Sequence, residues 1–356
     1  MTWRECFLKN FRFETTGEIP KPMLFQRFEE ETIKRWQREG LPKDIHSAQH
    51  FGFHRVELVP LNIAPMPPYE KEQKEGEIEE WRVGVERELT ESVGQRLDDL
   101  ERRFPIQSER DWAEFQKLLN PNSPARYPQF WDDYKYSVRE RDYPLGLSLG
   151  SPFGWLMEWM GTTALSRWMR DNPSFVGGVA EYLAEFLIQA TQRAAEELEI
   201  DFAIVQETAA YRGLTALSLE TVRPLMLKPY QRITEYLRSH QIEFILVEAG
   251  GNVNDLVPLW VDAGFNGLYP LEIAAGMNPI QLRQRYGKEL ILIGGIDQNA
   301  LIWGKRHIED EVRGKVSVLW DESGYIPAPD RAISSEVSLE NYEHYLELLG
   351  QISTSA

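Results

Sequence analysis

The sequence predicts a single (β/α)8 TIM barrel spanning residues 1–356, and three observations predict it. Short, nearly pure apolar runs alternate with segments of helical spacing through the second half of the chain. Those runs lack the polar-apolar alternation of a half-exposed sheet, so both sheet faces are expected to be covered. A length of 356 residues suits one large barrel, and no Gly/Ser-rich or Pro-rich linker divides it.

Strands are predicted at Pro22–Gln26, Val56–Leu61, Leu145–Leu149, Phe202–Gln206, Phe244–Val247, Gly267–Leu271, Leu290–Gly294 and Tyr325–Pro327. Between the second and third of these, residues 77–140 read as an insertion. Within it, Glu77–Arg103 alternates with period two (Trp81, Val83, Val85, then Leu89, Val93, Leu97), which predicts an antiparallel β excursion. Its tryptophans, Trp81, Trp112 and Trp131, are candidates to cap the barrel mouth or to form a homodimer face. Asn172-Pro173 supplies a cap and a first-turn proline to a helix with Val179, Leu183, Phe186, Leu187 and Ala190 on its inner face. Ser218 opens the next helical segment, which Pro224 and Pro229 are expected to split or kink. Asn252 or Asn254 caps a helix that Gly264 ends, and Ser338 opens the last one. Eight strands with helical crossovers favour a closed barrel over an open doubly wound sheet.

Charge and cysteine usage narrow the function classes. The chain has 39 Lys+Arg against 56 Asp+Glu, a formal net charge of −17. Such a surface repels a phosphate backbone or an anionic membrane at long range, so no nucleic-acid or membrane partner is expected. No apolar run approaches the ~18 residues a membrane span needs. The start, Met1-Thr-Trp-Arg-Glu, has no secretory apolar region, and the lone Cys6 excludes an internal disulfide framework. A cytoplasmic enzyme acting on a small-molecule substrate is expected.

In a (β/α)8 barrel the chemistry sits at the carboxyl ends of the strands. Five consecutive predicted strands end in an acid: Glu207, Glu248, Glu272, Asp297 and Asp330. Carboxylates that converge on one mouth must pair with arginine, bind a cation or take up a proton. The neighbouring arginines are Arg27, Arg212 and Arg331, which leaves room for a divalent ion or a proton-sharing pair. The bland alternative is that each acid caps a helix or is ion-paired in a loop. Tyr211 and Tyr269 flank the mouth as hydrogen-bond donors or core filler. His46, His50 and His54 lie close in sequence but lack the glutamate of a zincin motif, so they read as solvated or capping residues. Met157, Trp159 and Met160 read as core.

Three segments carry a resemblance. Gly150-Ser-Pro-Phe-Gly-Trp-Leu-Met-Glu-Trp-Met160-Gly, Ile293-Gly-Gly-Ile-Asp297, and Gly324-Tyr-Ile-Pro-Ala-Pro-Asp330 followed by Val337-Ser-Leu-Glu-Asn341 resemble the uroporphyrinogen decarboxylase superfamily, and Leu271-Glu-Ile-Ala-Ala-Gly-Met277 fits its divergent branches. The likeness runs from about Pro20 to the end. It implies a (β/α)8 barrel and one of two chemistries: cofactor-free decarboxylation of tetrapyrrole acetate groups, or zinc-dependent methyl exchange with corrinoid proteins or thiols. The similar decarboxylases carry Arg-Gln-Ala-Gly-Arg where this chain reads Gln26-Arg27-Phe28-Glu29-Glu30. An acid-rich mouth would repel the eight carboxylates of uroporphyrinogen. The zinc enzymes carry His-x-Cys and a further Cys where this chain has Glu248, Gly250 and Arg331. Glu207, Glu248 and Glu272 remain an oxygen donor set for Zn²⁺, Mg²⁺ or Mn²⁺. Alternatively, an ion pair between Glu248 and Arg331 stands where other members hold metal.

The first expected activity is methyl or one-carbon transfer with a corrinoid partner protein. In it Glu207, Glu248 and Glu272 bind metal or polarise the leaving oxygen, and Asp297 or Tyr211 moves the proton. The second is a decarboxylase-type lyase whose Arg27, Arg212 and Arg331 grip a carboxylate, with Tyr269 and Asp330 beside them. The third is a non-catalytic binding barrel with a decayed site.

Overall fold

In the computed structural model, residues 1–43, 47–66, 104–207 and 218–355 are described. Seven strands form one all-parallel sheet in chain order: β1 Glu57–Leu58, β2 Leu145–Gly150, β3 Phe202–Gln206, β4 Phe244–Glu248, β5 Gly267–Leu271, β6 Ile291–Gly294 and β7 Tyr325–Ile326. The curled sheet with helical crossovers is consistent with a TIM barrel.

The place expected for a first strand is irregular. Pro22–Gln26 contains a 3-10 turn, Met23–Phe25, and not a strand. Proline has no N–H for a ladder, and the turn rolls the buried Phe25 inward. The segment still touches both sheet edges, through the parallel bridges Pro22↔His54 ahead of β1 and Phe28↔Ile333 beyond β7. Arg27 accepts from the Ile333 N–H at 2.9 Å, and the Glu29 N–H donates to the Ile333 carbonyl at 3.0 Å.

Side chains along the strands alternate between two cores, as the two-residue repeat of a strand requires. Phe202 and Ile204, Phe244 and Leu246, and Ile291 and Ile293 share an inner cluster with Tyr269, Ile326 and Ala328. Ala203, Val205, Ile245, Val247 and Leu292 belong to the outer cluster under the helices. The inner cluster is plugged by helix Trp3–Phe11, whose Phe7 meets Phe202 at 5.4 Å and whose Phe11 meets Phe244 at 5.4 Å between ring centroids. Thr2 and Glu5 form a capping box that starts this helix, and each buried Phe stabilises by about 1.5–3 kcal/mol.

Of the two forms expected for the segment after Ser218, split or kinked, the structure has a single helix. Leu219–Ser239 is one helix that carries Pro224 and Pro229 inside it. Its buried stripe, Val222, Met226, Tyr230, Ile233 and Leu237, packs against helix Pro173–Glu197 and offsets the ~3 kcal/mol that each interior proline costs. The proposed excursion Glu77–Arg103 lies outside the described residues. Among the described residues every strand pairing is parallel, and the rest of the insertion is helical at Glu109–Phe115 and Trp131–Ser137. Trp112 and Trp131 pack inside the chain and do not stand at the surface. Both are buried, Trp112 against Tyr182 at 5.4 Å and Trp131 donating to Glu197 at 2.8 Å, so they dock the insertion on helix Pro173–Glu197. Trp81 lies outside the described residues. No helix among the described residues is long and apolar enough to cross a membrane.

Candidate active site

Strands β3, β4 and β5 lie side by side, with Gln206 paired to Glu248 and Glu248 to Tyr269. Their carboxyl ends therefore bring Glu248 and Glu272 to one rim, with Glu207 behind it, and the irregular segment lays Arg27 beside Glu248. Glu248 is 5 % exposed and accepts from the Arg27 guanidinium, whose side chain is half exposed. The second Glu248 oxygen lies 3.5 Å from the Gln206 amide. Beneath Arg27 is the ring of Tyr269, 5.2 Å from the guanidinium carbon and 4.9 Å from the ring of Phe25. Burial pushes the Tyr269 phenol up, and Glu248 adds to the rise against the lowering by Arg27, so the phenol stays protonated. Burial lowers the Arg27 guanidinium, but Tyr269 and Glu248 together outweigh it and hold the group charged.

The pairing of Glu248 with Arg27 overturns the expected Glu248–Arg331 pair. Arg331 turns instead to Asp330 at 3.3 Å and to Asn299 at 3.2 Å. The physical reason lies in the irregular segment, whose bridge to Ile333 places Arg27 within reach of Glu248 at the end of β4.

Glu207 is fully buried behind the rim. One of its oxygens accepts from the hydroxyls of both Ser151 and Tyr230. Ser151 also caps helix Pro152–Met160 by accepting from the Gly154 N–H at 3.2 Å. The Gly-Ser-Pro-Phe-Gly run thus joins a helix start to a buried carboxylate. Burial, then the negative charge of Glu207, pushes the Tyr230 phenol far up, so it remains a donor. A methyl at Gly154 would lie 3.0 Å from the Gln206 carbonyl oxygen and 3.4 Å from Glu207. Gly154→Ala is therefore expected to destabilise the fold by about 1–3 kcal/mol in urea denaturation, and a neutral result would mean the helix is free to shift.

The other sequence candidates take structural places. Glu272 accepts from the Gly251 N–H at 2.7 Å. Asp297 caps helix Gln298–Trp303 through the Asn299 N–H at 2.8 Å. Asp330, fully buried, accepts from the backbone N–H groups of Ile273 at 3.0 Å, Gln298 at 3.2 Å and Ala274 at 3.4 Å. It staples the turn after β5 to the start of the helix after β6. Tyr211 and Arg212 lie outside the described residues, as does His46. His54 stacks on Trp3 at 4.1 Å and accepts from the Lys21 N–H at 3.2 Å. Sequence reasoning missed Gln206, Ser151 and Tyr230. Ser151 was visible as a cap ahead of Pro152, whereas nothing marks Tyr230 among the inward residues of its helix.

Among the described residues no group of three or more His, Cys, Asp or Glu is placed to hold a metal ion. Glu207, Glu248 and Glu272 do not form such a group; their partners are, respectively, the hydroxyls of Ser151 and Tyr230, the Arg27 guanidinium, and the Gly251 N–H. The positions matching the superfamily's zinc ligands, Glu248, Gly250 and Arg331, offer one carboxylate, already ion-paired, and no thiolate or imidazole. These residues do not fit a zinc site of that kind.

With this geometry in place, comparison with known proteins adds kinship. A family model described as uroporphyrinogen decarboxylase (URO-D) matches residues 89–351. No curated protein is similar enough in sequence to match. Among solved structures, a methyltransferase from Methanosarcina mazei is similar at 15% identity with a TM-score of 0.58, over 99% of this chain and 98% of that one.

Proposed function

Because the chain belongs to the uroporphyrinogen decarboxylase family, we propose that it is an enzyme of the methyltransferase-like branch, transferring a methyl or one-carbon group from a small substrate to a corrinoid held by a partner protein. The observation that carries this reading is the Arg27–Glu248 pair. A rim arginine already neutralised by the protein's own carboxylate is poorly suited to grip a polyanionic tetrapyrrole, since each desolvated like-charge contact costs several kcal/mol. A small substrate needs only one or two polar anchors, and Arg27, Glu248 and Gln206 supply them. Tyr269 backs the guanidinium and Phe25 closes the floor, which keeps water from beneath the substrate. The corrinoid, when bound, would take up the transferred carbon. This chain's residues would hold the donor still and keep it dry. The fold likeness to a methyltransferase supports the same choice.

A decarboxylase-type reaction on a carboxylate substrate is the second reading. It is favoured by the absence of thiolate and imidazole from the superfamily's ligand positions, with Arg27 as the carboxylate anchor. Mixing the purified protein with cob(I)alamin and a panel of small O-, N- and S-methyl donors separates the two. Appearance of the methylcob(III)alamin spectrum supports methyl transfer. Consumption of uroporphyrinogen supports the second reading, and silence in both assays supports a binding barrel without catalysis.

A further inference from the structure

Resting on that reading, we infer that the Arg27–Glu248 pair selects a small zwitterion, a molecule with a carboxylate and a cationic nitrogen a few bonds apart. Arg27 commits Nη2 to Glu248, and half of its side chain faces solvent. The Tyr269 side chain is a second hydrogen-bond partner of the guanidinium, which carries five N–H donors in a fork that fits a carboxylate along an edge, so donors beyond these two contacts remain for a ligand. Glu248 uses one oxygen for Arg27, and its other oxygen is only 3.5 Å from Gln206, at the long limit of a hydrogen bond. That oxygen is the acceptor a ligand cation would reach.

Charge balance then decides among ligand classes. Arg27 and Glu248 sum to zero at a rim where the arginine is half exposed and the glutamate is buried, with Tyr269 and Phe25 beneath them. A simple anion would meet Arg27 but stand against Glu248, and a simple cation would meet Glu248 but stand against Arg27. A zwitterion opposes each protein charge with its own, which keeps the pair neutral and adds two charge-assisted contacts. Glu272 at the neighbouring strand end weighs further against anions. The set lies entirely within the described residues and uses no metal.

Three probes of nearly equal shape test this by titration calorimetry on the full chain. N,N,N-trimethylglycine carries both charges, 3,3-dimethylbutanoate carries only the carboxylate, and choline carries only the cation. The zwitterion is expected to bind at least about tenfold more tightly than either of the others, by the order of magnitude of a mispaired charge. Glu248→Gln, which keeps the shape, should reverse the order by strengthening the anion and weakening the zwitterion. Arg27→Gln should favour choline instead. A purely structural ion pair would lower all affinities alike and reverse nothing. Equal binding of the zwitterion and its isosteric anion by the unaltered protein, or binding of none of the three, overturns the inference. The cob(I)alamin assay is independent. Zwitterion selection without methyl transfer would sink the proposed function and leave this inference standing, and methyl transfer without charge selection would do the reverse.

Discussion

Asp201→Ala is expected to destabilise the protein by about 3–5 kcal/mol, the range for stripping the partner from a buried charge. The Asp201 side chain is 3 % exposed and stands just ahead of β3. One oxygen accepts from Arg4 Nε at 2.9 Å, and the other accepts from Arg141 and from the Leu145 N–H, each at 2.9 Å. The Arg141 side chain is only 1 % exposed, so it cannot recover hydration when the carboxylate goes. The same change unties Arg4 on the plugging helix Trp3–Phe11 and loosens the lower end of the barrel. Asp201→Asn keeps the acceptor but not the charge, so it should cost less than Asp201→Ala. Urea denaturation of both variants checks the ranking. Equal and small losses would mean that Arg141 finds water or another acceptor.

The second large effect is expected at Asp330. Asp330→Ala leaves the N–H groups of Ile273, Ala274 and Gln298 without their acceptor, a loss of about 3–5 kcal/mol at 1–3 kcal/mol for each orphaned donor with partial rehydration. The consequence reaches the rim, because those donors fix the turn that follows Glu272 and the helix that Asp297 caps. Asp330 also gives a signed pH dependence. Burial, only partly opposed by Arg331, raises its carboxyl above the ordinary 3.8, so the folded state binds the proton more tightly than the unfolded chain. Its contribution to stability is therefore full below 3.8 and declines as pH rises through the raised value. Asp330→Asn has no proton to lose, and its stability should fall less over that interval than that of the unaltered protein. Parallel slopes in a pH series of urea melts would count against this assignment.

The strand frame was legible because apolar runs such as Phe244–Val247 can be satisfied only between two packed layers. The helix caps at Asn172 and Ser338 were legible for a similarly local reason, a side-chain acceptor three residues ahead of an orphan N–H. What escaped was set by tertiary context. Pro22–Gln26 has strand-like residues, yet it turns because Phe25 is drawn into the inner core. Pro224 and Pro229 left open a split or a kinked helix, and the buried stripe beneath them decides for one helix. The plug Trp3–Phe11 is the exception among the missed elements, since its capping box of Thr2 and Glu5 is a local signal.

The candidate site divides along the same line. Five acids at strand ends were visible, but spacing alone does not separate a cap such as Asp297 from a rim carboxylate such as Glu248. Nor does it say which arginine reaches Glu248, because that choice depends on how far the irregular segment is carried by the bridge Phe28↔Ile333. Two residues of the same type, Arg27 and Arg331, thus ended with different partners.

A double-mutant cycle on Arg27→Gln and Glu248→Gln, read as unfolding free energy and repeated at raised salt, tests most directly whether a guanidinium–carboxylate pair organises the rim. A favourable coupling of about 1 kcal/mol or more, shrinking with salt, is expected for a pair half open to water. Strictly additive losses would contradict it and place Arg27 and Glu248 in separate surroundings.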